Sequence, residues 1–185
     1  MLEFDATHPA ADPTNNLPVW SGTPKWFDHS YRSLAVDANR RELVMFNQIG
    51  MDVSYWSFRD MYGQWSSGVL AFPWGHDYEV PQPIRICYPN VAMRGRAVHF
   101  CGVSDIVEPK AAWRQFKKEL TGQEWDYDFR RLFYCWTPDI SNKPFTEWVE
   151  IASRESTCGW ITPCDMYVDS RGRVHLIWIE RAIDE

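Results

Sequence analysis

Long apolar runs are missing from this 185-residue chain. No stretch approaches the roughly 18 consecutive apolar residues of a membrane-spanning helix, so a membrane role is not expected. The start, Met1-Leu2-Glu3-Phe4-Asp5-Ala6-Thr7-His8-Pro9, has neither the basic nor the apolar region of a secretory leader. As given, the chain reads as cytoplasmic; a leader lost upstream would make it a secreted protein instead. Paired cysteines are missing too. The five, Cys87, Cys101, Cys135, Cys158 and Cys164, are odd in number and have no close pairs, which is not a disulfide framework. Cys101 and Cys135 sit in apolar runs and read as small buried hydrophobes without the context of a reactive thiol. Cys158 and Cys164 lack a matching His or Cys pair, so neither zinc nor any other cofactor is expected. The net charge of −6 excludes non-specific attraction to nucleic acid or to an anionic membrane. A Gly-rich phosphate loop, a His-Glu-x-x-His helix and a Gly-x-Ser-x-Gly elbow are all absent, which removes nucleotide-driven, zincin and serine-hydrolase chemistry.

Aromatic residues are abundant: 16% of the chain, with 11 Trp, 10 Phe and 8 Tyr. Residues 1–28 read as an irregular arm punctuated by Pro9, Pro13, Pro18 and Pro24. From there to residue 185 short apolar runs alternate with turn residues. Ser33–Val36, Leu43–Phe46, Val53–Phe58 and Trp65–Leu70 read as four strands of an antiparallel meander, with turns at Asp37–Arg41 and Asp60–Gly63. About 40 residues is the length of one propeller blade. The plan recurs with Asn90–Met93, Ala97–Cys101, Leu132–Thr137 and Trp148–Ala152. It begins a third time with Cys164–Val168, the turn Asp169-Ser170-Arg171-Gly172, and Val174–Trp178. The runs Ala97-Val98-His99-Phe100 and Arg173-Val174-His175-Leu176 match closely. An insertion at about 108–131 carries a short amphipathic helix, Trp113–Leu120, ended by Thr121-Gly122. The expected fold is all-β: propeller-type four-stranded antiparallel meanders, about two and a half blades, with one short inserted helix.

The segment Phe58-Arg59-Asp60-Met61-Tyr62-Gly63-Gln64-Trp65 resembles the Asp-box, or bacterial neuraminidase repeat, of sialidase-like β-propellers. In that family the box occupies the turn between the third and fourth strands of a blade, where Asp60 falls by strand count. The box departs from the pattern: Phe58 and Arg59 stand where Ser or Thr is expected, and the Asp-to-Gly spacing is one residue longer. Asp60 reads as a structural turn residue that accepts backbone N–H groups, Gly63 as a residue able to take a positive φ, and Trp65 as packing under the turn. The resemblance implies a carbohydrate-directed propeller, either a glycoside hydrolase or polysaccharide lyase, or a non-catalytic module that binds a glycan or a protein.

In a four-stranded blade the second-to-third loops and the links to the next blade share one rim. That rim gathers Asp52, Asp105, Glu108, Glu180, Arg181 and Asp184 with His76, Asp77, Tyr78, Glu79, Arg154 and Glu155. Asp105, Glu108, Glu180, Arg181 and His76 are the catalytic candidates. Trp113, Trp125, Tyr78 and Arg154 are the candidates for substrate contact. A hydrolase needs two carboxyl groups about 5–5.5 Å or about 6.5–9.5 Å apart, whereas a lyase needs a His or Tyr base beside an Arg. A binding module shows aromatic platforms and no such pair. The plainer readings stay beside these: acidic loops are usually solvated surface, and His99 and His175 at repeated positions read as packing. Most of the Trp residues read as core. Propellers close with about four to eight blades. The remaining blades are therefore expected from a longer chain or an oligomer.

Overall fold

The computed structural model describes residues 1–22, 31–48, 50–123 and 127–183. The arm is not wholly irregular. Its β1 (Leu2–Glu3) and β2 (Thr14–Asn15) pair antiparallel, and Glu3 ties the arm to Arg59 through an ion pair. The first sheet is a meander of β3 (Arg32–Asp37), β4 (Glu42–Gln48), β5 (Val53–Arg59) and β6 (Trp65–Ala71). After it β7 (Trp74–Gly75) and β8 (Gln82–Pro83) make a small hairpin that the apolar pattern does not signal.

The second sheet begins with β9 (Ile86–Arg94) and β10 (Ala97–Ser104), and an insertion follows. The insertion holds β11 (Ile106–Val107), helix α1 (Ala111–Thr121) and β12 (Tyr127–Asp128). It returns to the sheet at β13 (Arg131–Thr137) and β14 (Val149–Ser153), giving the order β14-β13-β10-β9. The third sheet is the hairpin β15 (Trp160–Val168) and β16 (Val174–Arg181). All ten pairs of neighbouring strands within these sheets and hairpins are antiparallel.

The three sheets stack in chain order. Alternation puts Ala35, Val44, Phe46, Phe58 and Leu70 on one face of the first sheet, where they meet Met93, Val98, Phe100 and Cys135 of the second. Phe46 and Phe100 meet edge to face, ring centroids 5.0 Å apart. Each of these two rings is fully buried and contributes about 2–3 kcal/mol by burial. The other face of the second sheet, with Cys87, Cys101, Val103 and Leu132, packs on Ile161, Met166, Leu176 and Trp178 of the third. The first strands β3, β9 and β15 lie side by side and line a cavity of about 520 Å³ bounded by Val36, Met93 and Val168.

The turns share a chemistry. Asp60 Oδ1 accepts the N–H groups of Tyr62 and Gln64 at 2.9 and 2.8 Å, and Gly63 has φ +81°. Asp169 Oδ1 accepts those of Arg171 and Arg173 at 2.8 and 2.9 Å, and Gly172 has φ +76°. Only glycine takes such a φ without strain. At the same end the first and second sheets are pinned together. Asp37 accepts the Gly95 N–H at 2.6 Å, and buried Glu42 holds Arg40 and Arg96, each at 2.7 Å. Burial opposes the charge of Glu42, yet the hydrogen bonds from Arg96 and Arg40 hold its carboxyl below the usual range.

Helix α1 begins where two carboxylates meet its orphan N–H groups. Glu79 accepts from Ala111 at 2.9 Å and Glu108 from Lys110 at 3.1 Å. It ends at Gly122, φ +74°, whose N–H reaches the Lys118 carbonyl.

Candidate functional site

The strand order divides the loops between two ends. Asp60 lies at the end of the β3–β4 and β5–β6 turns. Asp105 follows β10, Glu180 stands near the end of β16, and His76 sits in the β6–β9 link, all at the other end. Topology therefore brings the candidate residues to one rim, but their side chains do not form one constellation.

Glu108 is wholly buried. Its two oxygens meet the Arg130 guanidinium, one of them at 2.8 Å from Nη2, and Lys117 Nζ lies 3.5 Å away. Burial disfavours its charge, but Arg130 holds the carboxyl below the usual range. Asp128 is buried beside it, accepting from Ser104 at 2.9 Å and from Tyr78 at 3.1 Å, and burial pushes its carboxyl up. Glu155 accepts from Arg130 Nε at 2.8 Å and pairs with Lys110. Glu108, expected on the rim as a catalytic acid, is thus, together with Asp128, the anchor of the insertion. The reason is electrostatic: a hairpin-and-helix excursion with a buried Arg needs carboxylates inside to balance it. Tyr78, expected to touch substrate, is buried with its hydroxyl spent on Asp128.

The other candidates are dispersed. Asp105 is buried with Oδ2 3.3 Å from Arg85 Nε. Arg85 in turn lies over the Tyr31 ring at 5.2 Å, and burial, with Cys87 and Asp105 nearby, pushes the Tyr31 phenol up. Glu180 pairs with Arg154 at 2.7 Å and accepts the Trp178 indole N–H at 2.6 Å. His76 is exposed on a groove of about 680 Å³ between the first and second sheets, with Trp56, Trp74 and Trp148. There Arg131 is already held by Asp77 and Glu150. Trp113 packs edge to face with Phe116 on α1, 5.7 Å between centroids. Trp125 and Asp184 lie outside the described residues.

A different group does converge at this rim. Tyr88, Phe129, Trp160 and Arg181 line a trough of about 510 Å³, floored by Ile161 and Pro163 and flanked by Ile179. Tyr88 is a non-glycine residue at φ +47°, where the β9–β10 register slips between Cys101 and Val103. A bulge re-aims a side chain, and this one leaves the Tyr88 ring half exposed. Tyr31 steadies it edge to face at 4.9 Å, and Phe129 lies 6.2 Å away. Phe129 is tethered to β15 by its carbonyl, which accepts the Ile161 N–H at 2.7 Å. The Arg181 guanidinium stands 4.7 Å from the Trp160 ring centroid. Gly159 lets the backbone at the end of β16 pass close beside the start of β15, since a Cβ there would fall 2.0 Å from the Arg181 carbonyl oxygen.

Of these residues the sequence singles out Arg181 as a catalytic candidate. Tyr31, Tyr88 and Trp160 are not picked out, because exposure of an aromatic ring is invisible in a chain so rich in them. One signal was present: Pro89 inside a strand marks a bulge, and Tyr88 precedes it. Among the described residues no group of His, Cys, Asp and Glu is arranged to hold a metal, and no helix is long and apolar enough to cross a membrane. Comparison with models of protein families, with curated proteins and with solved structures gave no match.

Proposed function

We propose that this chain is a propeller-type glycan-binding module, its sheets serving as blades and its aromatic trough as the sugar site. The observation that carries the reading is the Tyr88 backbone. A non-glycine residue at positive φ costs on the order of 1 kcal/mol or more, and such strain collects at sites of function. Here it turns an aromatic ring into the trough beside Trp160 and Phe129. Aromatic faces take the apolar face of a pyranose ring, and Arg181, held over Trp160, offers N–H donors to hydroxyl or carboxylate oxygens.

The propeller part is supported by the two four-stranded meanders, by the three first strands lining one cavity, and by the Asp60 turn, which resembles the Asp-box of sialidase-like proteins. Binding is favoured over hydrolysis because the three carboxylates among the catalytic candidates are already engaged. Asp105 faces Arg85, Glu108 faces Arg130, and Glu180 faces Arg154. A glycosidase needs one carboxyl free to protonate a leaving oxygen and a second to act as base or nucleophile.

The test is calorimetric titration with neutral and uronic-acid oligosaccharides, in the chain as given and in Trp160→Ala. Saturable binding that weakens at least tenfold in Trp160→Ala supports the reading. Absence of binding to every oligosaccharide, or binding indifferent to Trp160, removes it.

A further inference from the structure

The aromatic trough carries charge of one sign. Of the residues that line it Arg181 alone is charged, and no Asp or Glu is among them. The chain as a whole is acidic, with 25 Asp and Glu against 19 Lys and Arg. The other arginines of this rim are neutralised: Arg85 by Asp105, Arg130 by Glu108, Arg131 by Asp77 and Glu150, and Arg154 by Glu180. Arg181 has no carboxylate partner among the described residues; its guanidinium rests on the Trp160 ring. Strand geometry keeps it so. Glu180 turns to one face of β16, where it meets Arg154 and the Trp178 indole N–H. Arg181 turns to the other, directly opposite Trp160 across the β15–β16 ladder.

A guanidinium stacked by its flat face keeps its in-plane N–H groups for a ligand. Two of them match the two oxygens of a planar carboxylate, a geometry that a hydroxyl group does not offer. We propose that the trough selects acidic sugars: a uronic acid residue whose ring lies against Tyr88 and Phe129 and whose carboxylate is held by Arg181. The inference rests on the glycan-binding reading and names its ligand class. An exposed ion pair contributes little affinity in water, so the rings supply binding and Arg181 supplies the discrimination. Arg181 is then a specificity residue of a binding site.

Calorimetric titration tests it, with tetrasaccharides of galacturonate, mannuronate and glucuronate, each beside its carboxyl-reduced neutral counterpart. At least one acid should bind about tenfold tighter or more than its counterpart, as expected of hydrogen bonds between charged groups. That margin should narrow as salt rises. In Arg181→Gln the acid-to-neutral ratio should fall toward unity, and Arg181→Lys, which keeps the charge without the fork, should retain part of it. Circular dichroism reports the fold of both. Should Arg181→Gln fail to fold, the salt series and Arg181→Lys carry the test, and the ratio must fall in each. Neutral sugars bound as tightly as their acids overturn this proposal and leave the glycan reading standing. An acid preference that persists undiminished in Arg181→Gln also overturns it. Absence of binding to every oligosaccharide, acidic and neutral alike, removes both.

Discussion

Glu108 and Arg130 form a two-pronged ion pair that solvent does not reach. Both side chains belong to the insertion between β10 and β13, and Lys117 and Glu155 complete the cluster. Removing one member of a buried pair leaves the other charged and unpartnered, at about 3–5 kcal/mol. Arg130→Met should therefore lower the urea midpoint and Tm strongly, and Glu108→Gln should do so to a smaller extent. A denaturation curve for Arg130→Met that overlays the parent would show that the cluster does not hold the insertion.

The two Asp-x-x-Gly turns predict a matched pair of outcomes. Gly63→Ala and Gly172→Ala each force a Cβ into φ near +80°, so each should destabilise by about 1–2 kcal/mol. Neither glycine has a neighbour within 4 Å of the site a Cβ would occupy, so packing contributes nothing to the loss. Thermal melts check this; a variant as stable as the parent would place that turn in another conformation.

Stability should also fall on mild acidification. His99 is buried, stacked on Trp136 with 5° between ring planes and bonded to Tyr134 at 2.7 Å. Burial lowers its pKa from the ordinary 6.5. As pH falls below about 6.5 the unfolded chain takes the proton first, so this contribution is full above that pH and declines below it. The Tm difference between pH 7.5 and pH 5.5 should be larger for the parent than for His99→Gln. Equal differences would assign the acid sensitivity elsewhere.

Strands, turns and helix are written locally in this chain, and sequence reading recovers them. Period-two alternation marks β3–β6, Asp60 and Asp169 announce their turns, and Gly122 ends α1 where expected. The short strand pairs β7–β8 and β11–β12, two residues a strand, carry too little pattern to be read. The site was harder for a different reason. Glu108 and Asp128 look like loop acids until the partner that buries them, Arg130, is seen to lie beside them in space. Arg154 and Glu180 stand at the ends of different strands, and only the fold makes them a pair. Tyr88 looks like one more strand aromatic until its backbone is found in the left-handed region.

The most direct measurement follows from that backbone. Tyr88→Gly removes the ring from the trough and at once relieves the positive φ at a residue where glycine is unstrained. Its affinity for an oligosaccharide that the parent binds, and its Tm, should be measured on one preparation by titration calorimetry and a thermal melt. A residue strained for binding predicts at least a tenfold loss of affinity with a Tm close to that of the parent, the relief of strain offsetting the lost ring contacts. Undiminished affinity in Tyr88→Gly would contradict the proposal that this trough is the glycan site.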